Sequence, residues 1–281
     1  MAIGSREGVA IGEIAVYTPL ILAAVFVAFR QSFFKQIGWV YVVVFCGLRL
    51  ASGALGVLSA NNPKSTSDAA WTAILGSIGL SPLLLACLGC LKRVNDFLRP
   101  RSFIILALRL VHIPCLIALI LGIIGGTDLE HPDEQDKGYK YLKASAIIFL
   151  LTYLATLALA LLTIPEFSRL RRGELGIMLA VLASLPFLAV RVLYSLLADF
   201  KHDSTFNIID GNVWVQLAMA LIMELIVAIM YILAGGAAER FEDLKRSQSI
   251  EMSGGKGSGN AYAPQQWPQG QQAPPAPQYN V

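Results

Sequence analysis

Seven stretches of predominantly apolar residues dominate the chain, separated by short segments in which charge, Gly and Pro collect. They run Val9 to Phe29, Ile37 to Leu58, Ala69 to Leu91, Ser102 to Ile124, Lys143 to Thr163, Gly176 to Ala198 and Val213 to Ala234. A helix of about 20 residues, rising about 1.5 Å per residue, crosses the roughly 30 Å hydrocarbon core of a bilayer. The pattern therefore predicts an all-α, polytopic membrane protein, a seven-helix bundle occupying residues 1–236. Residues 237–281 then form a tail: Glu239 to Ser249 is charged, and the Gly-, Gln- and Pro-rich part from Gly254 is expected to be disordered.

Composition agrees with the pattern. With 56% hydrophobic and 15% charged residues, the chain departs from soluble domains, in which about 25% of residues are charged. No cleavable signal peptide is expected, because positive charge follows the first apolar stretch rather than preceding it. Basic residues set the orientation, since short cytosolic loops retain Lys and Arg. One side holds thirteen: Arg30, Lys35, Lys92, Arg93, Arg99, Arg101, Arg169, Arg171, Arg172 and, in the tail, Arg240, Lys245, Arg246 and Lys256. The other holds six: Arg6, Lys64, Lys137, Lys140, Lys143 and Lys201. The N-terminus is thus expected outside or in a lumen and the C-terminus in the cytosol. Trp39, Trp71 and Trp214 fall near span ends, where amphipathic rings favour the interface.

Charges within the spans are the candidate chemistry, because an ionised group at the bilayer centre is costly and usually functional. Glu224 lies halfway along the seventh span, and Arg49 at a similar depth in the second. At the helical rise, each is about 15 Å below the non-cytosolic boundary, so the two can pair. Glu13 and Arg191, about 6 and 10 Å deep, form a second candidate pair. Tyr17, Tyr194 and Tyr231 are candidates to line a cavity with them. Arg109, with His112 nearby, lies close enough to Arg101 to extend toward the headgroups. Locking the bundle is one role open to these charges, and a binding or catalytic cavity is the other.

Repetition is visible. Thr18-Pro19-Leu20 precedes Arg30 as Ser81-Pro82-Leu83 precedes Arg93, and Arg49, Arg109 and Arg191 each stand between two aliphatic residues. Several chemistries are excluded. The seventh span has no Lys for a retinal Schiff base, and His112, His131 and His202 are too few for haem or di-iron ligation. No aspartate-rich diphosphate motif lies in the spans. Leu91-Lys92-Arg93 and Met230-Tyr231-Ile232 stand where a rhodopsin-type receptor carries its signatures. Cys87 and Cys90 have a redox or metal spacing but no second pair, and all four cysteines, with Cys46 and Cys115, are expected as buried apolar thiols. The acidic loop Asp128 to Asp136 has no ligand spacing either, so no metal and no cofactor is expected.

Taken together, Gly79-Leu80-Ser81-Pro82-Leu83-Leu84-Leu85-Ala86, Gly125-Gly126-Thr127, Leu185-Pro186-Phe187-Leu188 with Arg191 and Tyr194-Ser195, and Met223-Glu224 carry a resemblance. The chain resembles the fungal seven-helix integral membrane proteins of the domain of unknown function 7702 type, over roughly residues 5–240. That resemblance implies the fold and a fungal source, and carries no catalytic residue. In size, helix number and buried acids the chain is also similar in type to fungal membrane-embedded meroterpenoid cyclases. That analogy implies protonation of a lipophilic prenylated substrate, with Glu224 or, failing it, Glu13 as general acid and Arg49 orienting it. The alternative is a protein without catalysis, a lipid translocator or a seven-helix sensor. Membrane lipids are the expected partners and nucleic acid is not. An endomembrane such as the endoplasmic reticulum is expected rather than the plasma membrane.

Overall fold

The computed structural model describes residues 5–31, 36–61, 66–98, 102–129, 133–170, 172–200 and 213–238. The expected disordered tail, His131 and His202 lie outside these residues. The first two spans are α1 (Ser5–Arg30) and α2 (Ile37–Asn61), and the third is divided at Gly79 into α3 (Thr66–Ile78) and α4 (Leu80–Phe97). Then come α5 (Ser102–Asp128), α6 (Gln135–Thr163) with a 3-10 extension Ile164–Arg169, and α7 (Arg172–Phe200). The seventh span is compound: α8 (Val213–Gln216), a π-helical segment Leu217–Leu221, and α9 (Ile222–Ala237). Seven helical spans are long and apolar enough to cross a membrane. The protein is an all-α, multi-pass membrane protein.

Helix ends pass the apolar boundaries read from the sequence. α6 begins at Gln135, not Lys143, because intrahelical hydrogen bonding continues into the polar turn where hydropathy stops. Seven passes put the start of α1 and the end of α9 on opposite faces, here termed the amino-terminal and carboxy-terminal faces.

The third span is the core. Of its most apolar window 83% is buried inside the protein, against 22% for the first span and 17% for the window in α5. α4 packs on α2, α5, α6, α7 and α9. Outward positions are apolar instead: Leu22, Phe26 and Phe29 on α1 and Leu110, Ile113 and Ile120 on α5 are exposed, as lipid contact requires.

Close helix approach rests on small residues, because hydrocarbon surroundings leave packing as the main attraction between helices. α2 crosses α4 at Gly38 and Gly89, where a Cβ on Gly89 would fall 2.3 Å from the Gly38 Cα. α5 and α6 meet at Gly125 and Gly138, each of which would place a Cβ 2.9 Å from the other's carbonyl oxygen. Trp39 is a correction to the interfacial expectation: it is buried, filling the space beside Gly235. Trp71 and Trp214 are exposed.

Gly89→Ala puts backbone against backbone and cannot be relieved by a rotamer change. It is expected to cost about 1–3 kcal/mol or more, read as a lower thermal midpoint in detergent. Gly47→Ala, where nothing lies within 4 Å of the added Cβ, is the matched control and should leave the midpoint unlowered, or slightly raised because Ala is the better helix former.

Candidate functional site

Four charged side chains from four spans meet in the amino-terminal half of the bundle. Glu224, fully buried at the start of α9, accepts hydrogen bonds on both carboxylate oxygens. Its Oε2 takes Arg49 Nε at 2.8 Å and also Arg49 Nη2, while its Oε1 takes Arg191 Nε. Arg49 donates a further bond from Nη1 to Glu13 Oε1 at 3.0 Å. The order is therefore Glu13, Arg49, Glu224, Arg191, two acids alternating with two bases. The expected pairing of Arg49 with Glu224 is present. Arg191, matched by depth to Glu13, donates to Glu224 instead, because depth fixes height along a helix but not the direction a side chain faces.

The broken third span takes the remaining donors. Pro82 has no N–H to offer the Ile78 carbonyl and its ring crowds that oxygen, so the third span is irregular at Gly79, whose backbone stays in the right-handed helical region. Carbonyls just before the break turn to the guanidinium groups. Arg191 Nη2 donates to Gly76 O and Ser77 O, both at 3.2 Å, and Arg49 Nη2 donates to Gly76 O at 3.4 Å. Gly79 gives the pair room: a Cβ there would lie 2.9 Å from Glu224 Oε2 and 3.4 Å from Arg49 Nε. Pro19, which the repeat aligns with Pro82, leaves α1 unbroken. Val16 stands in the place of Gly79, and the Thr18 hydroxyl donates to Ile14 O at 2.7 Å. No guanidinium takes that carbonyl.

A cavity of about 570 Å³ adjoins this cluster. Its lining runs from Arg6, Ser59 and Asp199 near the amino-terminal helix ends inward to Glu13, Arg49 and Arg191. Phe149, Leu142 and Leu217 supply apolar wall. Tyr194 also lines it, with the Arg191 guanidinium 5.6 Å from its ring centre. The π-helical segment contributes Leu217, Ala220 and Leu221. An inserted residue of this kind turns the positions before it by about 100° relative to those after it.

The other sequence candidates lie elsewhere. Glu224 sits beneath the lining rather than in it. Tyr17 is buried with its ring edge-on to Phe45, centroids 5.7 Å apart, and its hydroxyl has no hydrogen-bond partner among the described residues. The Tyr231 hydroxyl is 2.7 Å from Ser184 Oγ, deeper in the bundle. Arg109 faces outward on α5, and His112 Nδ1 lies 2.6 Å from Leu108 O on the same helix. Neither lines the cavity.

Sequence reasoning missed a second buried network at the carboxy-terminal face. Arg93, counted as a loop charge, is 1% exposed and donates from Nε and Nη2 to the Glu174 carboxylate, the closest contact being 2.8 Å. Its Nη1 donates to Gln31 Oε1 at 2.6 Å, and Gln31 Nε2 donates to Gly235 O and Ala238 O at the end of α9. The available signal was that Arg93 and Glu174 stand at similar heights near one boundary. Asp199 was also missed, although Arg191, Ser195 and Asp199 recur every four residues and so share one face of α7.

The sequence profile of one family, described as Domain of unknown function (DUF7702), matches residues 3–240. No curated protein and no solved structure matches the chain.

Because Glu224 bridges two guanidinium groups, charge balance governs tolerance to substitution. Glu224→Gln leaves two buried arginines facing one acid and is expected to cost about 3–5 kcal/mol, read as loss of the monodisperse peak after detergent extraction. Glu224→Gln with Arg191→Gln retains the Arg49 and Glu13 pair and should recover most of that peak. Glu224→Gln with Arg49→Gln orphans both Glu13 and Arg191 and should not.

Proposed function

The chain belongs to the DUF7702 family, and from its own geometry we propose that it is a binding protein for small amphiphilic molecules, a lipid carrier or translocator rather than a catalyst. The observation that carries this reading is the meeting of two irregular helical spans at one charged cluster beside a cavity. Helix irregularities at membrane depth are tolerated where they are buried in protein or line a cavity, and π-helical turns recur at functional sites. Here Gly79 and the π-helical Leu217–Leu221 segment make two spans irregular, and both adjoin the same cluster. The wall combines apolar side chains with guanidinium and hydroxyl groups, which suits a molecule with a polar head and an apolar body. With basic residues concentrated at the opposite face, the cavity belongs to the outer or lumenal side in this reading.

Cyclisation of a prenylated substrate finds less support. It needs a carboxylic acid that carries a proton and touches the substrate. Glu224 accepts from two guanidinium groups and is covered, and Glu13, which does line the cavity, accepts from Arg49. Both carboxylates are arranged as acceptors. A fungal source and a place in secondary metabolism have no bearing on this geometry.

A photoactivatable diazirine fatty alcohol, irradiated with the protein in phosphatidylcholine nanodiscs, tests the reading. Labelling is expected on α6 and the seventh span around Phe149 and Leu217. Ala146, a buried lining residue, changed to Trp fills the cavity and should remove that labelling severalfold while leaving outward sites on α5 labelled. Labelling confined to α5, or indifferent to Ala146→Trp, would sink the proposal.

A further inference from the structure

Asp199 is a charged residue of the cavity lining that has no hydrogen-bond or ion-pair partner among the described residues, and it is 9% exposed. Two cations lie near enough to act on it electrostatically, Arg191 and Lys143. Both are engaged elsewhere. Arg191 spends its donors on Glu224, Ser195 Oγ at 2.6 Å and the carbonyls of Gly76 and Ser77. The Lys143 ammonium sits over the Phe200 ring, 5.8 Å from its centre. Asp199 is also one residue from the end of α7, where the helix carries its partial negative charge and disfavours an anion. A carboxylate both buried and placed at the wrong helix end is held at a cost unless a cation meets it there.

The Glu13, Arg49, Glu224 and Arg191 cluster is neutral in itself, and Arg6, the other cation of the lining, is engaged in an interaction of its own. Along α7, Asp199 stands eight residues from Arg191, about 12 Å nearer the amino-terminal face. Ala118, Leu119, Leu142 and Phe149, on α5 and α6, supply apolar wall to the same cavity.

We infer that the ligand is cationic: an amphiphile bearing a protonated amine, whose ammonium donates to Asp199 near the cavity mouth while its apolar body lies along α5 and α6. This rests on the amphiphile-binding reading above and specifies its headgroup. The shared chemistry is an alkylammonium, free or as part of a lipid head.

Three probes of equal chain length separate the possibilities: octylamine, octanol and octanoate, each added to the purified full chain in phosphatidylcholine nanodiscs at neutral pH, with thermal unfolding followed by intrinsic fluorescence. Octylamine is expected to raise Tm by roughly 3 °C or more at saturation, with octanol and octanoate well below it. Asp199→Asn should lose at least two thirds of the octylamine shift, and Asp199→Glu should keep most of it. An undiminished octylamine shift in Asp199→Asn, or an equal shift from octanol or octanoate, overturns the cationic assignment and leaves the amphiphile reading standing. No shift from any probe counts against both. Should Asp199→Asn fail to fold, the ranking of the three headgroups on the wild-type protein decides the question.

Discussion

Burial of Glu224 among two arginines is the constraint around which the bundle is arranged. Each ion removed from water carries a penalty of several kcal/mol, so a charge at this depth persists only with its hydrogen-bonding capacity met. Glu224 takes three donors from Arg49 and Arg191, and the donors these arginines have left go to Glu13, Ser195 and two backbone carbonyls. Those carbonyls lie in the turn just ahead of Gly79, where the third span is irregular, and each oxygen's second lone pair can accept from a guanidinium.

Helix number and the similar heights of Arg49 and Glu224 were legible in the sequence, since hydropathy records what faces lipid and residue counting records height. Azimuth was not. Arg191 and Glu13 lie at comparable heights, yet Arg191 turns to Glu224, and only packed neighbours decide that. Arg93 misled for a related reason: it stands at a span end beside Lys92, as a loop charge would, but faces inward to Glu174. The break at Gly79 was written in Gly-Leu-Ser-Pro, though Thr-Pro at Thr18 and Pro19 shows that proline alone does not break a span. The π-helical segment left no comparable mark, because Leu217 to Leu221 reads as ordinary apolar helix.

The two polar networks differ in what adjoins them. At the amino-terminal half the charged cluster meets a cavity, whereas at the carboxy-terminal face Arg93, Glu174 and Gln31 are enclosed by α1, α4, α7 and the end of α9. α4 belongs to both. Arg49 and Arg191 hold the carbonyls just ahead of it, and Arg93 near its other end draws in Glu174 and Gln31. A ligand in the cavity therefore touches groups that fix the amino-terminal end of the central helix and is separated from the far face by the most buried segment of the protein.

That asymmetry bears on mechanism. A route from the cavity to the opposite face would have to part α4 from α7 and α9, and so separate Arg93 from Glu174 and release the α9 carbonyls held by Gln31. Separating a fully buried ion pair is far costlier than shifting apolar contacts against one another. The cavity's lining reaches from the amino-terminal helix ends inward to the charged cluster. On the carrier reading proposed above, transport would require a second arrangement in which the network is re-formed with other partners, since proteins shift between discrete packings rather than deform continuously. A ligand can favour that arrangement only through contacts that differ between the two states. The groups it meets that also hold α4 are Arg49 and Arg191. Whatever enters the cavity and competes with the Gly76 and Ser77 carbonyls for those arginines acts directly on the position of the helix that seals the other side.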